Sequence, residues 1–183
     1  MSRKPFHNGD EGVTDLIGGK RLPKNHAIFN ALGDIDELNS LIGIHKDIQR
    51  TYWSLVFCWH RNSLRARVKN YLHKLQSILI IISSHIAGLN SKFDSSFLIE
   101  LDYMNNILDK NVPVLKTFLL PNNPYHHIRT VARRAERTYS GLEVRDDNIL
   151  KFLNRLSDFF FVLGRYFNYI NGMGDTSYKS MFD

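Results

Sequence analysis

Arg129-Thr130-Val131-Ala132-Arg133-Arg134-Ala135-Glu136-Arg137 is the stretch that sets the helical character of this chain and the question it poses. Arg129, Arg133, Glu136 and Arg137 fall at i, i+4, i+7 and i+8, so they share one side of a helix. Guanidinium groups stacked on one side repel one another. A polyanion such as a triphosphate would neutralise them, and arginine suits that task through its rigid, forked donors. The other reading is a solvated helix face in which Glu136 is the internal partner. This run alone does not separate the two.

Outward from it, the rest of the chain is also helical in pattern. A helix is predicted from Asp34 to about Arg50, with Ile35, Leu38, Leu41, Ile42 and Ile48 as its apolar stripe. A second runs from about Arg67 to Ala87 on Val68, Leu72, Leu75, Leu79 and Ile82, and Gly88 and Asn90 end it. A third covers roughly 95–110. Val112 to Pro121 reads as an apolar, partly extended connector, broken by Pro121-Asn122-Asn123-Pro124. The arginine helix ends near Gly141. A fifth helix is capped by Asp146 or Asp147 and continues through Leu153, Leu156 and Phe160 to about Ile170. Residues 5–32 hold few helical signals, and the tail from Gly172 is expected to be loose. No strand pattern of any length appears. The class is all-α, an antiparallel five-helix bundle in one domain spanning 1–183.

Composition narrows the function. The chain has 183 residues, enough for one domain with a sizeable core. Its single cysteine, Cys58, excludes an intramolecular disulfide framework and reads as a small buried hydrophobe. No apolar run reaches transmembrane length, so no membrane partner is expected. The net charge of +6 is uneven: the acid-free segment from Ile48 to Phe93 carries +7, and the remainder −1. A basic patch can be a nucleic-acid footprint, but no recognised nucleic-acid motif accompanies it, and nucleic acid is not the expected partner. Gly9, Gly12, Gly18 and Gly19, beside Asp10, Glu11 and Thr14, read as a loop whose backbone can approach a ligand closely. No Walker motif is present.

Three separated motifs line up along nearly the whole chain. They are Asn8-Gly9-Asp10-Glu11-Gly12-Val13-Thr14 with Ile17-Gly18-Gly19-Lys20-Arg21, then Gly33-Asp34-Ile35-Asp36-Glu37-Leu38-Asn39-Ser40, then the arginine run followed by Phe152-Leu153-Asn154-Arg155-Leu156-Ser157-Asp158. As a set they resemble the ATP:cob(I)alamin adenosyltransferases of the propanediol-utilisation type. The resemblance implies a ferritin-like five-helix bundle, a homotrimer with active sites between subunits, and transfer of the 5′-deoxyadenosyl group of ATP to reduced cobalamin. ATP, Mg²⁺ and cobalamin are the implied ligands. A reductase and an adenosylcobalamin-dependent mutase are the implied partners, in the cytoplasm or, for a eukaryote, the mitochondrial matrix.

It also implies roles. Asn8, Gly9, Asp10, Gly12 and Thr14 would cradle phosphates, and Lys24, Arg133 and Arg134 would neutralise them with Mg²⁺. Glu136 and Asn154 would contact the nucleotide or the ion. Asn154 and Asp158, at i and i+4, share a helix face that can meet the arginine helix. Asp36 and Arg129 match an intersubunit salt bridge. Phe118 matches an aromatic that covers the lower face of the corrin, displaces the axial base and so eases reduction of Co(II). From its residue context alone, Phe118 reads as core.

The chain departs from the family pattern in places. It has Pro121-Asn122-Asn123 where the family has Pro-Gly-Gly, and asparagine tolerates the left-handed backbone that glycine would supply. The next loop is about five residues shorter, and His127 beside His126 is unusual. Residues 51–66 read as an insertion or as a gene-model error. The competing functions are a catalytically impaired homologue that carries cobalamin or ATP, and a basic helical nucleic-acid binder.

Overall fold

Asp146 opens the longest stretch of buried helix. Its backbone is extended and its carboxylate accepts the Asn148 N–H at 2.7 Å, supplying one of the partners that a helix start lacks. The helix it caps is α5, Asp147–Ile170. Ile149, Phe152, Leu153, Leu156, Phe159 and Phe160 recur at helical spacing along it and are fully buried. The computed structural model describes residues 9–17, 19–56 and 63–178. Within them lie a short hairpin, β1 (Val13–Asp15) and β2 (Arg21–Pro23), and four further helices, α1 (Ala27–Val56), α2 (Ser63–Ile86), α3 (Ser96–Asp109) and α4 (Pro124–Ser140).

Cross-helix pairs give the directions. His126 meets Gly164 and Arg129 meets Phe161, so α4 and α5 are antiparallel. Arg134 reaches Asp34 while His127 acts on His45, so α1 and α4 are antiparallel too. Asp102 pairs with Arg155 and the Pro113 carbonyl with Arg165, so α3 runs parallel to α5. Lys74 pairs with Glu100, and Arg67 donates to the Tyr103 hydroxyl at 3.0 Å, which sets α2 against α3. Each helix therefore runs opposite to the one before it. The packing order is α2, α1, α4, α5, α3, with Tyr71 of α2 edge-on to Phe159 of α5 at 5.4 Å across the centre. The expected five-helix bundle is the observed fold.

Four local expectations change. The first helix starts at Ala27, not Asp34. Gly33 reads as a boundary, yet an interior glycine costs only about 1 kcal/mol, and burial of Ala31 and Ile35 outweighs it. His26 Nδ1 accepts the Ile28 N–H at 3.3 Å and stands in for a cap. The Gly-rich loop contains a three-rung hairpin, pairing Val13 with Pro23, Thr14 with Leu22 and Asp15 with Arg21. Such short strands leave no readable alternation.

The Pro121-Asn122-Asn123 turn holds no left-handed asparagine at Asn123. Its backbone is extended (φ −150°), and it is the N-cap of α4, accepting the Tyr125 N–H at 3.0 Å. Its amide also donates to the Gly164 carbonyl and to Asn168 Oδ1, at 3.0 and 2.9 Å. The tail is tied down as far as Tyr178. Gly172 and Gly174 take positive φ and turn the chain back. Leu120 then donates to the Thr176 carbonyl and Tyr178 to the Phe118 carbonyl, both at 2.8 Å. Of residues 51–66, those up to Val56 prolong α1 and those from Ser63 begin α2; Cys58 and the rest lie outside the described residues.

Gly164 is where α4 and α5 come closest. A Cβ there would sit 3.1 Å from Asn123 Oδ1 and from two atoms of the His126 ring. Gly164→Ala should destabilise the fold by about 1–3 kcal/mol through overpacking, read as a lowered urea midpoint.

His126 is buried, with Nε2 unpartnered among the described residues. Burial lowers its pKa from the ordinary 6.5; Asp175 opposes this and Arg129 adds to it. His45 is lowered as well, by burial and by His127. An unfolded histidine takes up its proton at a higher pH than these do. Their contribution to stability is thus complete above pH 6.5 and lost as pH falls through the folded values. The urea midpoint should drop between about pH 7.5 and about pH 5.5, and His126→Gln should shrink that drop.

Candidate functional site

The first part of the site is the corner formed by the Gly-rich loop. The Gly12 N–H donates to the Gly9 carbonyl at 3.2 Å, and the Lys24 N–H to the Gly12 carbonyl at 2.9 Å. Gly12 has φ 77°, which favours glycine. A Cβ on Gly9 would lie 2.9 Å from Lys24 Nζ, so the ammonium arches over bare backbone. A turn of backbone amides with an ammonium above it is suited to an anion. Asp10 and Lys24 are exposed, and Thr14 sits on β1. Asn8 lies outside the described residues.

The second part is the seam of α4 and α5. With His126 against Gly164 and Arg129 over the Phe161 ring at 5.5 Å, successive antiparallel turns bring Arg133 level with Asp158 and Glu136 level with Asn154. Asn154, Asp158 and Phe161 share one face of α5 at i, i+4 and i+7. Asn154, Asp158 and Arg133 are exposed, and Glu136 is half-buried. Phe161 was not singled out from the sequence, although its place on the Asn154–Asp158 face was a readable signal.

The arginines divide by environment. Arg129 spends its charge on an aromatic ring. Arg133 has no ionic partner among the described residues. Arg134 points the other way, toward α1: its Nε donates to Asp34 Oδ1 at 2.9 Å and its Nη2 to Glu37. In this chain it braces α1 against α4. Arg137 lies along its own helix and donates to the Arg133 carbonyl at 3.1 Å. Of the four, only Arg134 is ion-paired among the described residues; Arg129, Arg133 and Arg137 keep charges that no carboxylate offsets there.

Asp36 is exposed on α1 and has no ionic partner among the described residues. It does not meet Arg129 within the chain. Phe118 is 84% exposed, which removes the reading of it as core. It stands on the connector between α3 and α4, beside a cleft of about 320 Å³ lined by Val114, Leu115, Thr117, Leu119, Arg165 and Tyr169 among others. No group of three or more His, Cys, Asp or Glu among the described residues could hold a metal ion. A Mg²⁺ here would take Glu136 together with ligand oxygens, as Mg²⁺ on phosphates commonly does. No helix among the described residues is long and apolar enough to cross a membrane.

Comparison with known proteins places this geometry. Residues 6–167 match the cobalamin adenosyltransferase family. Similar chains include a corrinoid adenosyltransferase of Bacillus subtilis, 32% identical over 93% of this chain and 89% of its own length. Another is a corrinoid adenosyltransferase of Mus musculus, 31% identical over 93% of this chain and 75% of its own length. Among solved structures, a variant PduO-type ATP:corrinoid adenosyltransferase from Lactobacillus reuteri complexed with cobalamin and ATP is similar with a TM-score of 0.82. It is 32% identical, covering 96% of both chains. A second variant of that enzyme, complexed with ATP, gives a TM-score of 0.79 at 31% identity, covering 96% of this chain and 100% of its own.

The different settings of Arg134 and Arg133 predict different consequences of removing each. Arg134→Ala should lower stability by about 1 kcal/mol, modest because the pair is partly solvated. Arg133→Ala should leave thermal stability unchanged. Melting temperatures of the two variants check this.

Proposed function

The chain belongs to the cobalamin adenosyltransferase family, and we propose that it transfers the 5′-deoxyadenosyl group of ATP to cob(I)alamin, releasing triphosphate. The observation that carries this reading is Phe118. A phenyl ring 84% exposed on a connector pinned by a hydrogen bond is unfavourable surface unless an apolar ligand face covers it. The corrin macrocycle offers such a face.

In the reaction cob(I)alamin is the nucleophile. Its cobalt forms a bond to the 5′ carbon of ribose, and the carbon–oxygen bond breaks as triphosphate leaves with the electron pair. The protein supplies no nucleophile and acts by positioning and by stabilising the developing negative charge. The Gly9–Gly12 turn with Lys24 cradles the phosphates, joined by Asn8, Asp10 and Thr14. Arg133 is the guanidinium free to follow the leaving group. Glu136, level with Asn154, would with it contact the nucleotide or its Mg²⁺. Arg134 acts indirectly, by holding α1 against α4. Asp158 lies level with Arg133 on the facing helix.

The site is completed by a second subunit. The loop precedes the start of α1 and Phe118 precedes the start of α4, at opposite ends of an antiparallel pair. The 17 residues of α4 span about 25 Å between them. A homotrimer brings one subunit's loop to its neighbour's Phe118, and Asp36 pairs with Arg129 across that interface. A reductase supplies Co(I) and an adenosylcobalamin-dependent mutase receives the product. The enzyme works in the cytoplasm or the mitochondrial matrix.

With ATP, Mg²⁺ and chemically reduced cobalamin, the purified protein should produce the adenosylcobalamin spectrum; no cobalt–carbon bond under those conditions would overturn the reading. Phe118→Ala should spare ATP binding and slow turnover from Co(II) while turnover from pre-formed Co(I) persists. Binding of ATP and cobalamin without turnover would favour a carrier role, a second reading motivated by the engagement of Arg134 with carboxylates rather than with an open anion site.

A further inference from the structure

Arg165 is 3% exposed, yet it lies outside the roles described so far. It projects from the last third of α5 and joins two segments distant in sequence. Its Nη2 donates to the Pro113 carbonyl at 2.6 Å, at the start of the connector that carries Phe118. Its Nε donates to Asp175 Oδ2 at 2.8 Å, in the tail that follows Gly172 and Gly174. From Asp175 the tail runs on to pair with the connector. Leu119 bridges Ser177, the Thr176 carbonyl accepts from the Leu120 N–H, and the Tyr178 N–H donates to the carbonyl of Phe118 itself. Asn122 adds a bond to the Thr176 hydroxyl at 3.0 Å. Phe118 thus sits on a flap formed by the connector and the tail, whose root is clasped on both sides by one buried guanidinium.

The forked donors of arginine suit this, because they hold two acceptors in a fixed plane. Val114, Leu115 and Leu120 are exposed and Leu119 is only half-buried, so the connector has little apolar anchorage of its own over that stretch. A ring carried on a freely moving connector would present many orientations to a ligand, and ordering it on binding would cost affinity. We infer that Arg165, through Asp175 and the Pro113 carbonyl, is a positioning residue that preorganises the Phe118 flap for the lower face of the corrin.

The inference rests on the proposed role of Phe118, and its test separates the two. Trypsin cleavage after Lys116, which is exposed on the connector, reports the flap without any ligand. Asp175→Ala should raise cleavage there about tenfold while cleavage at Arg133 and Arg137 within α4 is unchanged. In the same variant ATP affinity should stay as in wild type. The spectroscopic signature of four-coordinate cob(II)alamin should weaken, and turnover from Co(II) should fall more than turnover from pre-formed Co(I). Asp175→Asn, which can still accept from Nε, should restore most of the protection.

If Asp175→Ala does not fold, Asp175→Leu, which removes the acceptor from Arg165 Nε with a side chain of similar size, is read by the same measures. Unchanged Lys116 cleavage, or an unchanged cob(II)alamin signature beside a normal wild-type signal, overturns the inference. Absence of the four-coordinate signature in the wild type overturns the role of Phe118 instead.

Discussion

The close approach of α4 to α5 at Gly164 is the constraint on which the rest of the structure depends. Without a side chain at that position, Asn123 and His126 can lie directly on α5, and the amide of Asn123 reaches the Gly164 carbonyl and Asn168. This does two things at once. It caps the start of α4, where backbone N–H groups would otherwise lack partners, and it sets the antiparallel register of the two helices. The levels along the seam follow from that register: Arg129 over Phe161, Arg133 level with Asp158, Glu136 level with Asn154.

The same seam explains how four arginines on one helix acquire different work. A helix presents residues every 100° or so, and its neighbours differ around the circumference. Arg134 faces α1 and finds two carboxylates. Arg129 faces α5 and finds a ring. Arg137 folds back onto the helix backbone. Arg133 is exposed and has no ionic partner among the described residues. The guanidinium groups on this helix without a carboxylate partner among the described residues are Arg129, Arg133 and Arg137, supplemented by Lys24 above the bare backbone of Gly9. Such an arrangement concentrates positive potential where the leaving triphosphate of the proposed reaction would depart.

Much of this was legible in the residues. The stripes Ile35–Leu38–Ile42, Val68–Leu72–Leu75–Leu79 and Leu153–Leu156–Phe160 are buried as their spacing requires, because a period near 3.6 can bury one face only as a helix. The Asp146 cap was legible for the same reason: a carboxylate before an apolar-periodic run satisfies the first N–H groups. Other features were not. The start of α1 was hidden by Gly33, a residue whose local preference is overridden by packing. Val13–Asp15 is too short to show alternation. Phe118 sits in an apolar run that reads as core, and only the course of the connector leaves its ring outside. Asn123 looked like a glycine substitute in a turn, whereas its amide and its carboxamide oxygen bridge two helices.

The sequence by itself determined the class of the protein, the number and polarity of its helices, and the set of residues able to meet a polyanion. These depend on local spacing and side-chain chemistry, which a linear chain displays in full. The tertiary structure alone decided which arginine is braced and which is open, that Arg165 joins the Phe118 connector to the tail, and that Asp36 and Arg129 do not meet within one chain. Those outcomes depend on the register between helices far apart in sequence. That register is set by close packing at sites such as Gly164, where a void is informative only once the neighbouring helix is in place.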